Sequence, residues 1–132
     1  MGVTYLLDTH VLLWVLADPD RLSPVVLDAL GDRRNVLLVS AASAMEVATK
    51  GRSGRLPGSE SLVASWDRRI AELGAKELAI SSAHAVRAGD MAWDHRDPFD
   101  RLLVSQALIE NVVLVTVDAA ILAVPGLKTL TG

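Results

Sequence analysis

Val3-Thr4-Tyr5-Leu6-Leu7-Asp8 and, near the other end of the chain, Val112-Val113-Leu114-Val115-Thr116-Val117-Asp118 share one form: a short β-branched, apolar run that stops at or just before an aspartate. Runs this short, without polar alternation, read as strands buried on both faces, and such strands belong to parallel sheets. Val36-Leu37-Leu38-Val39-Ser40 is a third run of the same kind. Helical patterns fill the spaces between them. Residues 10–17 form an apolar helix ended by Asp18-Pro19-Asp20, and Ser23-Pro24 offers an N-cap and first-turn proline for a helix over 25–30 that closes at Gly31. Helix formers occupy 42–50 before the glycine-rich, basic loop Gly51-Arg52-Ser53-Gly54-Arg55-Leu56-Pro57-Gly58. Leu62, Trp66, Ile70 and Leu73 mark one amphipathic helix over 61–73. Residues 78–80 read as a weak strand, 83–89 as a short helix, 97–110 as a strong helix and 127–130 as a last, poorer strand. Strands alternating with helices predict an α/β fold with a parallel sheet covered on both faces.

The chain has 132 residues, the length of a single domain over 1–132. At 51% hydrophobic and 22% charged residues it is too apolar for a disordered chain. Its longest uncharged apolar stretches, near 36–45 and 119–127, fall short of the roughly 18–20 residues a membrane span needs. The start, Met1-Gly2-Val3-Thr4-Tyr5, lacks a basic region, and Leu6 stands where a myristoylation signal wants Ser or Thr, so no targeting segment is expected. The absence of cysteine excludes disulfides, thiol catalysis and cysteine zinc sites. Thirteen basic against sixteen acidic residues give a net charge of −3, the wrong sign for coating nucleic acid by bulk charge. An enzyme that gathers its acids in one site and meets nucleic acid through a few local basic groups remains compatible with that balance.

In an open parallel sheet, ligands bind outside the carboxyl ends of the strands. Asp8 follows the first strand, Asp118 lies just past the fourth, Glu46 sits on the helix leaving the second, and Asp100 is in the first turn of the strong helix. Each also has an ordinary structural use. Asp8 and Asp118 serve as N-caps, Asp97-Pro98-Phe99-Asp100 has the form of a capping box, and Glu46 pairs with Lys50 at i,i+4. Taken together they point further, because Glu46 is a charge inside a largely apolar stretch beside the strand exit that holds Asp8. Buried acids without counter-charge are costly, and a divalent cation removes the conflict. With oxygen donors only, Mg²⁺ or Mn²⁺ is the natural ion, and phosphodiester hydrolysis by a water of lowered pKa is the chemistry such a site suits.

Four segments resemble PIN-domain ribonucleases, and among them the VapC-type toxins of bacterial toxin–antitoxin pairs. These are Leu7-Asp8-Thr9-His10 with Trp14, Ser40 to Lys50 around Glu46, His95-Arg96-Asp97-Pro98-Phe99-Asp100-Arg101-Leu102-Leu103 with Gln106-Ala107, and Leu114-Val115-Thr116-Val117-Asp118. The resemblance spans almost the whole chain, and its third segment is the most specific. It implies a three-layer α/β/α sandwich, an acidic quartet of Asp8, Glu46, Asp100 and Asp118 that holds Mg²⁺ or Mn²⁺, and endoribonuclease activity in the cytoplasm. It also implies inhibition by a cognate VapB-like antitoxin and a homodimer. Met45 and Val117 depart from the family pattern, which often has Trp and a polar residue there. A PIN nuclease of RNA processing or structured DNA shares these acids, as does a non-catalytic PIN-like binding module. A haloacid-dehalogenase-like phosphatase does not fit, because His10 stands where its second aspartate belongs.

Thr9, Ser43 and Thr116 lie beside the acids and suit orientation of a carboxylate, with capping or turn bonding an equal use for Thr9 and Ser43. Asp97 reads first as an N-cap. Arg101 suits either a substrate phosphate or an ion pair with Asp97, and Lys50, Arg52 and Arg55 suit an RNA backbone or a solvated loop. His10 and His95 have no second histidine at a ligand spacing and read as positional. The helix around Trp14 is apolar nearly all round, so Val11, Leu12, Val15 and Leu16 are expected partly to meet another chain.

Overall fold

The structure, a computed structural model, describes residues 2–132; Met1, where the reading of the amino terminus begins, lies outside the described residues. In chain order the elements are β1 (Thr4–Leu7), α1 (Thr9–Ala17), a 3₁₀ turn (Pro19–Arg21), α2 (Pro24–Gly31), β2 (Val36–Ser40) and α3 (Ala41–Arg52). There follow α4 (Glu60–Ala64), α5 (Trp66–Glu72), β3 (Ala75–Leu78), α6 (Ser82–Asp90) and α7 (Pro98–Glu110). The chain closes with β4 (Val113–Val115), α8 (Ala119–Leu122) and β5 (Thr129–Leu130). Among the described residues the five strands form one sheet in the order β3-β2-β1-β4-β5, every pair parallel.

Alternation along the central strands builds the layers. Leu7 of β1, Val39 of β2 and Val115 of β4 join Val11 and Leu12 of α1, Val26 of α2 and Ile70 of α5 in one core. Their neighbours Leu6 and Leu114 turn the other way and pack with Leu103, Val104 and Ala107 of α7 and Ile121 of α8. A parallel strand side chain points alternately to the two faces, so consecutive leucines must feed two cores. The result is the α/β/α sandwich.

Two expectations need correction. The single helix over 61–73 is two helices, α4 and α5, broken at Ser65, whose hydroxyl donates to the Ser61 carbonyl at 2.6 Å and so competes with the helical bonding pattern. The third strand lies at Ala75–Leu78 rather than 78–80, in register with β2 through Leu37↔Ala75 to Ser40↔Leu78. As an edge strand it carries exposed Lys76 and Glu77, a common protection of a sheet edge.

The parallel register sets up the site. Leu7 pairs with both Val39 and Val115, so β1, β2 and β4 end side by side. The residues that follow them are therefore neighbours.

Candidate active site

Asp8 leaves β1 as the N-cap of α1, its Oδ1 accepting from the Val11 amide at 2.8 Å. Its Oδ2 accepts the hydroxyl of Thr116. Burial pushes the Asp8 carboxyl above its ordinary pKa, and the nearby Asp118 adds to that, although both hydrogen bonds oppose the rise. Asp118 caps α8 through Oδ1, which accepts from the Ala120 amide at 2.8 Å, while its own amide donates to Thr116 Oγ1 at 3.0 Å. Thr116 thus sits between two acids and positions both.

Glu46 lies in the second turn of α3 and is only 3% exposed. Its Oε2 accepts from the Lys50 ammonium, and its Oε1 is buried without a hydrogen-bond partner. Asp100, in the first turn of α7, bonds His95 Nε2 through Oδ2 at 2.7 Å. Burial raises the Asp100 pKa to about 6; Asp97 and Glu46 contribute repulsion, and His95 opposes it. His95, Asp100 and Asp118 each bring a ligand atom within 4.8 Å of the others. The mutual repulsion of Asp8 with Asp118 and of Asp100 with Glu46 completes the chain of neighbours. Thr116 ties Asp8 to Asp118 at this rim, Asp100 lies beside Asp118, and Glu46 is near enough to Asp100 to repel it.

The ordinary uses of these residues are present at the same time. Asp8 and Asp118 do cap helices, and Glu46 does pair with Lys50. Asp97 caps α7, accepting from the Phe99 and Asp100 amides at 2.9 and 3.2 Å, which forms one half of a capping box. A cap uses one carboxylate oxygen, and the acid remains available through its other lone pairs. The arrangement suits a divalent cation: the donors are carboxylate oxygens beside the His95 ring nitrogen, two carboxyls are disfavoured as anions by burial and like charge, and one glutamate oxygen is left unpartnered.

His95 has a fuller part than the sequence suggests. It is fixed to Asp100 and stacks at 4.8 Å on Trp93. No spacing rule marks it, because it reaches Asp100 across the Asp97-Pro98 turn. Thr9 and Ser43 do not reach a carboxylate; their hydroxyls bond each other at 2.9 Å and tie α1 to α3. Arg101 likewise departs from both its readings. Its guanidinium donates to the carbonyls of Ala88, Met91, Trp93 and His95 at 2.7 to 3.0 Å, leaving neither an Asp97 pair nor a fork free for phosphate. Lys50 and Arg55 line a cleft beside Glu46, whereas Arg52 borders a separate depression with Ala48, Glu60 and Val63. Met45 and Val117 are exposed. Trp14 is half-buried against the α1 core and carries Arg21 over its ring at 5.1 Å.

A family model described as PIN domain matches residues 5–127. No curated protein matches significantly. Among solved structures, the chain is similar to VapBC2 from Rickettsia felis bound to a DNA fragment from their promoter, with a TM-score of 0.72, 17% identity and 98% of each chain covered. It is also similar to DNA-bound VapBC from Salmonella typhimurium, with a TM-score of 0.68, 16% identity and 98% of each chain covered. A toxin–antitoxin complex from Klebsiella pneumoniae matches with a TM-score of 0.64, 18% identity and 96% of each chain covered.

Proposed function

The chain belongs to the PIN domain family, and from that premise we propose that it is a Mg²⁺- or Mn²⁺-dependent endoribonuclease, the toxin of a toxin–antitoxin pair. The observation that carries the reading is the acidic rim of the sheet: ligand atoms of His95, Asp100 and Asp118 lie within 4.8 Å of one another, Asp8 shares the Thr116 hydroxyl with the Asp118 amide, and Glu46 Oε1 is buried and unpartnered. These four acids would hold the cation, and residues 1–132 would constitute one PIN domain. When bound, the cation supplies positive charge that acidifies water and offsets the charge gained at phosphorus during phosphodiester hydrolysis.

The chain's own groups prepare that site. Thr116 fixes the Asp8 carboxylate through Oδ2 and anchors the Asp118 backbone through its amide, so one hydroxyl positions two acids. His95 holds Oδ2 of Asp100. Lys50 balances the charge of Glu46.

A VapB-like antitoxin is the proposed inhibitor, consistent with the complexes among the structural neighbours. Of the α1 residues expected to meet another chain, Val11 and Leu12 are fully buried in the core, and the half-buried Val15 and Leu16 are left as an apolar face for that partner or for a homodimer. No helix among the described residues is long and apolar enough to cross a membrane, and a cytoplasmic location is proposed.

The test is cleavage of single-stranded and total cellular RNA by antitoxin-free protein with Mg²⁺ or Mn²⁺, against EDTA and Asp100→Asn. Cutting lost in both controls supports the nuclease. Equal behaviour of wild type and variant favours a non-catalytic binding module.

A further inference from the structure

Glu46 borders a second space besides the acid cluster. Between α1 and the loop after α3 lies a cleft of about 340 Å³, with His10, Leu13, Glu46, Lys50, Arg55 and Leu56 on its walls. That volume falls in the range of small-ligand sites, about 300–1,000 Å³. Its lining divides by chemistry. Lys50 is ion-paired with Glu46 on the same wall, whereas Arg55 makes no ion pair among the described residues and is the cleft's free positive charge. The exposed imidazole of His10 and the half-buried Leu13 and Leu56 provide an aromatic and apolar wall. His10 leans on Trp14, with the ring centroids 6.2 Å apart.

An anion site beside a flat apolar wall is what a nucleotide requires, since its phosphate seeks Arg or Lys and its base seeks a ring or aliphatic surface. Recognition of RNA relies on such splayed single-stranded bases. We propose that this cleft is a nucleotide subsite: it seats the single-stranded RNA residue adjoining the phosphate held at the acid cluster. Arg55 meets its phosphate; His10, Leu13 and Leu56 meet its base. Glu46, common to both spaces, sets the subsite directly beside the cutting site. The proposal rests on the nuclease reading above and names the substrate contacts of that site.

Arg52 supplies an internal control. It is three positions from Arg55, at the last residue of α3, is likewise exposed, and borders the other depression. Binding of a fluorescein-labelled single-stranded RNA of mixed sequence is measured by anisotropy in EDTA, where nothing is cut, across a salt series. Arg55→Ser should weaken binding about tenfold and lower the salt slope by about 0.7, the share of one single-strand phosphate contact. Arg55→Lys should recover part of the loss, and His10→Ala should weaken binding with the slope unchanged. Arg52→Ser should leave the affinity within about twofold of wild type.

Equal losses for Arg52→Ser and Arg55→Ser, no loss for either, or no RNA binding by wild type overturns the subsite. So does a poly-aspartate peptide that competes as well as RNA, which would make the cleft an acidic-peptide site. Wild-type cleavage with Mg²⁺ is measured alongside. Cleavage intact with Arg55→Ser binding normally refutes the subsite alone; an Arg55 effect on binding without any cleavage refutes the nuclease alone.

Discussion

The hydroxyl of Thr116 donates to Oδ2 of Asp8, joining the carboxyl ends of β4 and β1 beneath the acid cluster. The same oxygen accepts from the Asp118 amide at 3.0 Å, so a single buried side chain orients two of the proposed ligands. Thr116→Val keeps the shape and removes both bonds. It should lower metal-dependent cleavage about 10- to 100-fold, the usual cost of losing an orienting partner of a metal ligand, with KM little changed. Thr116→Ser should retain most activity. A steady-state comparison of the three proteins decides it, and full activity in the valine variant would remove Thr116 from the machinery.

The raised carboxyls make stability depend on pH in an unusual direction. Asp100 binds its proton more tightly in the folded chain, pKa about 6, than at its ordinary 3.8. Its favourable contribution is complete below pH 3.8 and is lost as pH rises to about 6. Asp8 adds the same sign. Asp32, lowered to about 2 by Arg34, acts only below 3.8 and does not overlap. Two pKa units amount to about 3 kcal/mol. In EDTA, Tm should therefore be higher at about pH 4.5 than at about pH 7.5, and Mg²⁺ or Mn²⁺ should raise it chiefly at the higher pH. Calorimetric Tm values that climb steadily with pH in EDTA would contradict this.

Buried strands and capped helices announce themselves because their signals are local. The uniform apolarity of 36–39 and the Ser23-Pro24 cap lead directly to β2 and α2. β3 is obscured because an edge strand needs only one apolar end: Lys76 and Glu77 are outside, and the more apolar residues 78–80 draw attention past it. The acids after the strands are legible for the same local reason, and the 4.8 Å approach of Asp100 to Asp118 needs only that α7 start at the carboxyl edge. His95 and Arg101 are hidden because their partners are a carboxylate across a turn and backbone carbonyls, neither of which leaves a side-chain pattern in the sequence.

Arg101 should be a stabilising clasp rather than a substrate contact. Its four bonds hold residues 88–95 against α7 and thereby keep His95 on Asp100. Lysine cannot reproduce a planar fork, so Arg101→Lys should cost about 2–4 kcal/mol in urea unfolding. Limited proteolysis should shift to residues 88–96. A variant as stable and as protease-resistant as wild type would show that the segment holds itself.

Lys50 and the divalent cation should compete for Glu46. Among the described residues the lysine is the only charge bonded to Glu46, whose side chain is 4% exposed, and its own side chain is 31% exposed. Lys50→Met leaves that carboxylate without a counter-charge. Breaking one side of a buried pair costs about 3–5 kcal/mol, and the partly exposed lysine places the loss near or below the lower figure. In EDTA, Tm should fall accordingly, while the Tm gain on adding Mg²⁺ should exceed that of wild type because no ammonium has to be displaced. Glu46→Gln should do the reverse: little change in EDTA, and a smaller gain with Mg²⁺. If both variants gain as much from Mg²⁺ as wild type does, Glu46 is not among the groups that hold the ion.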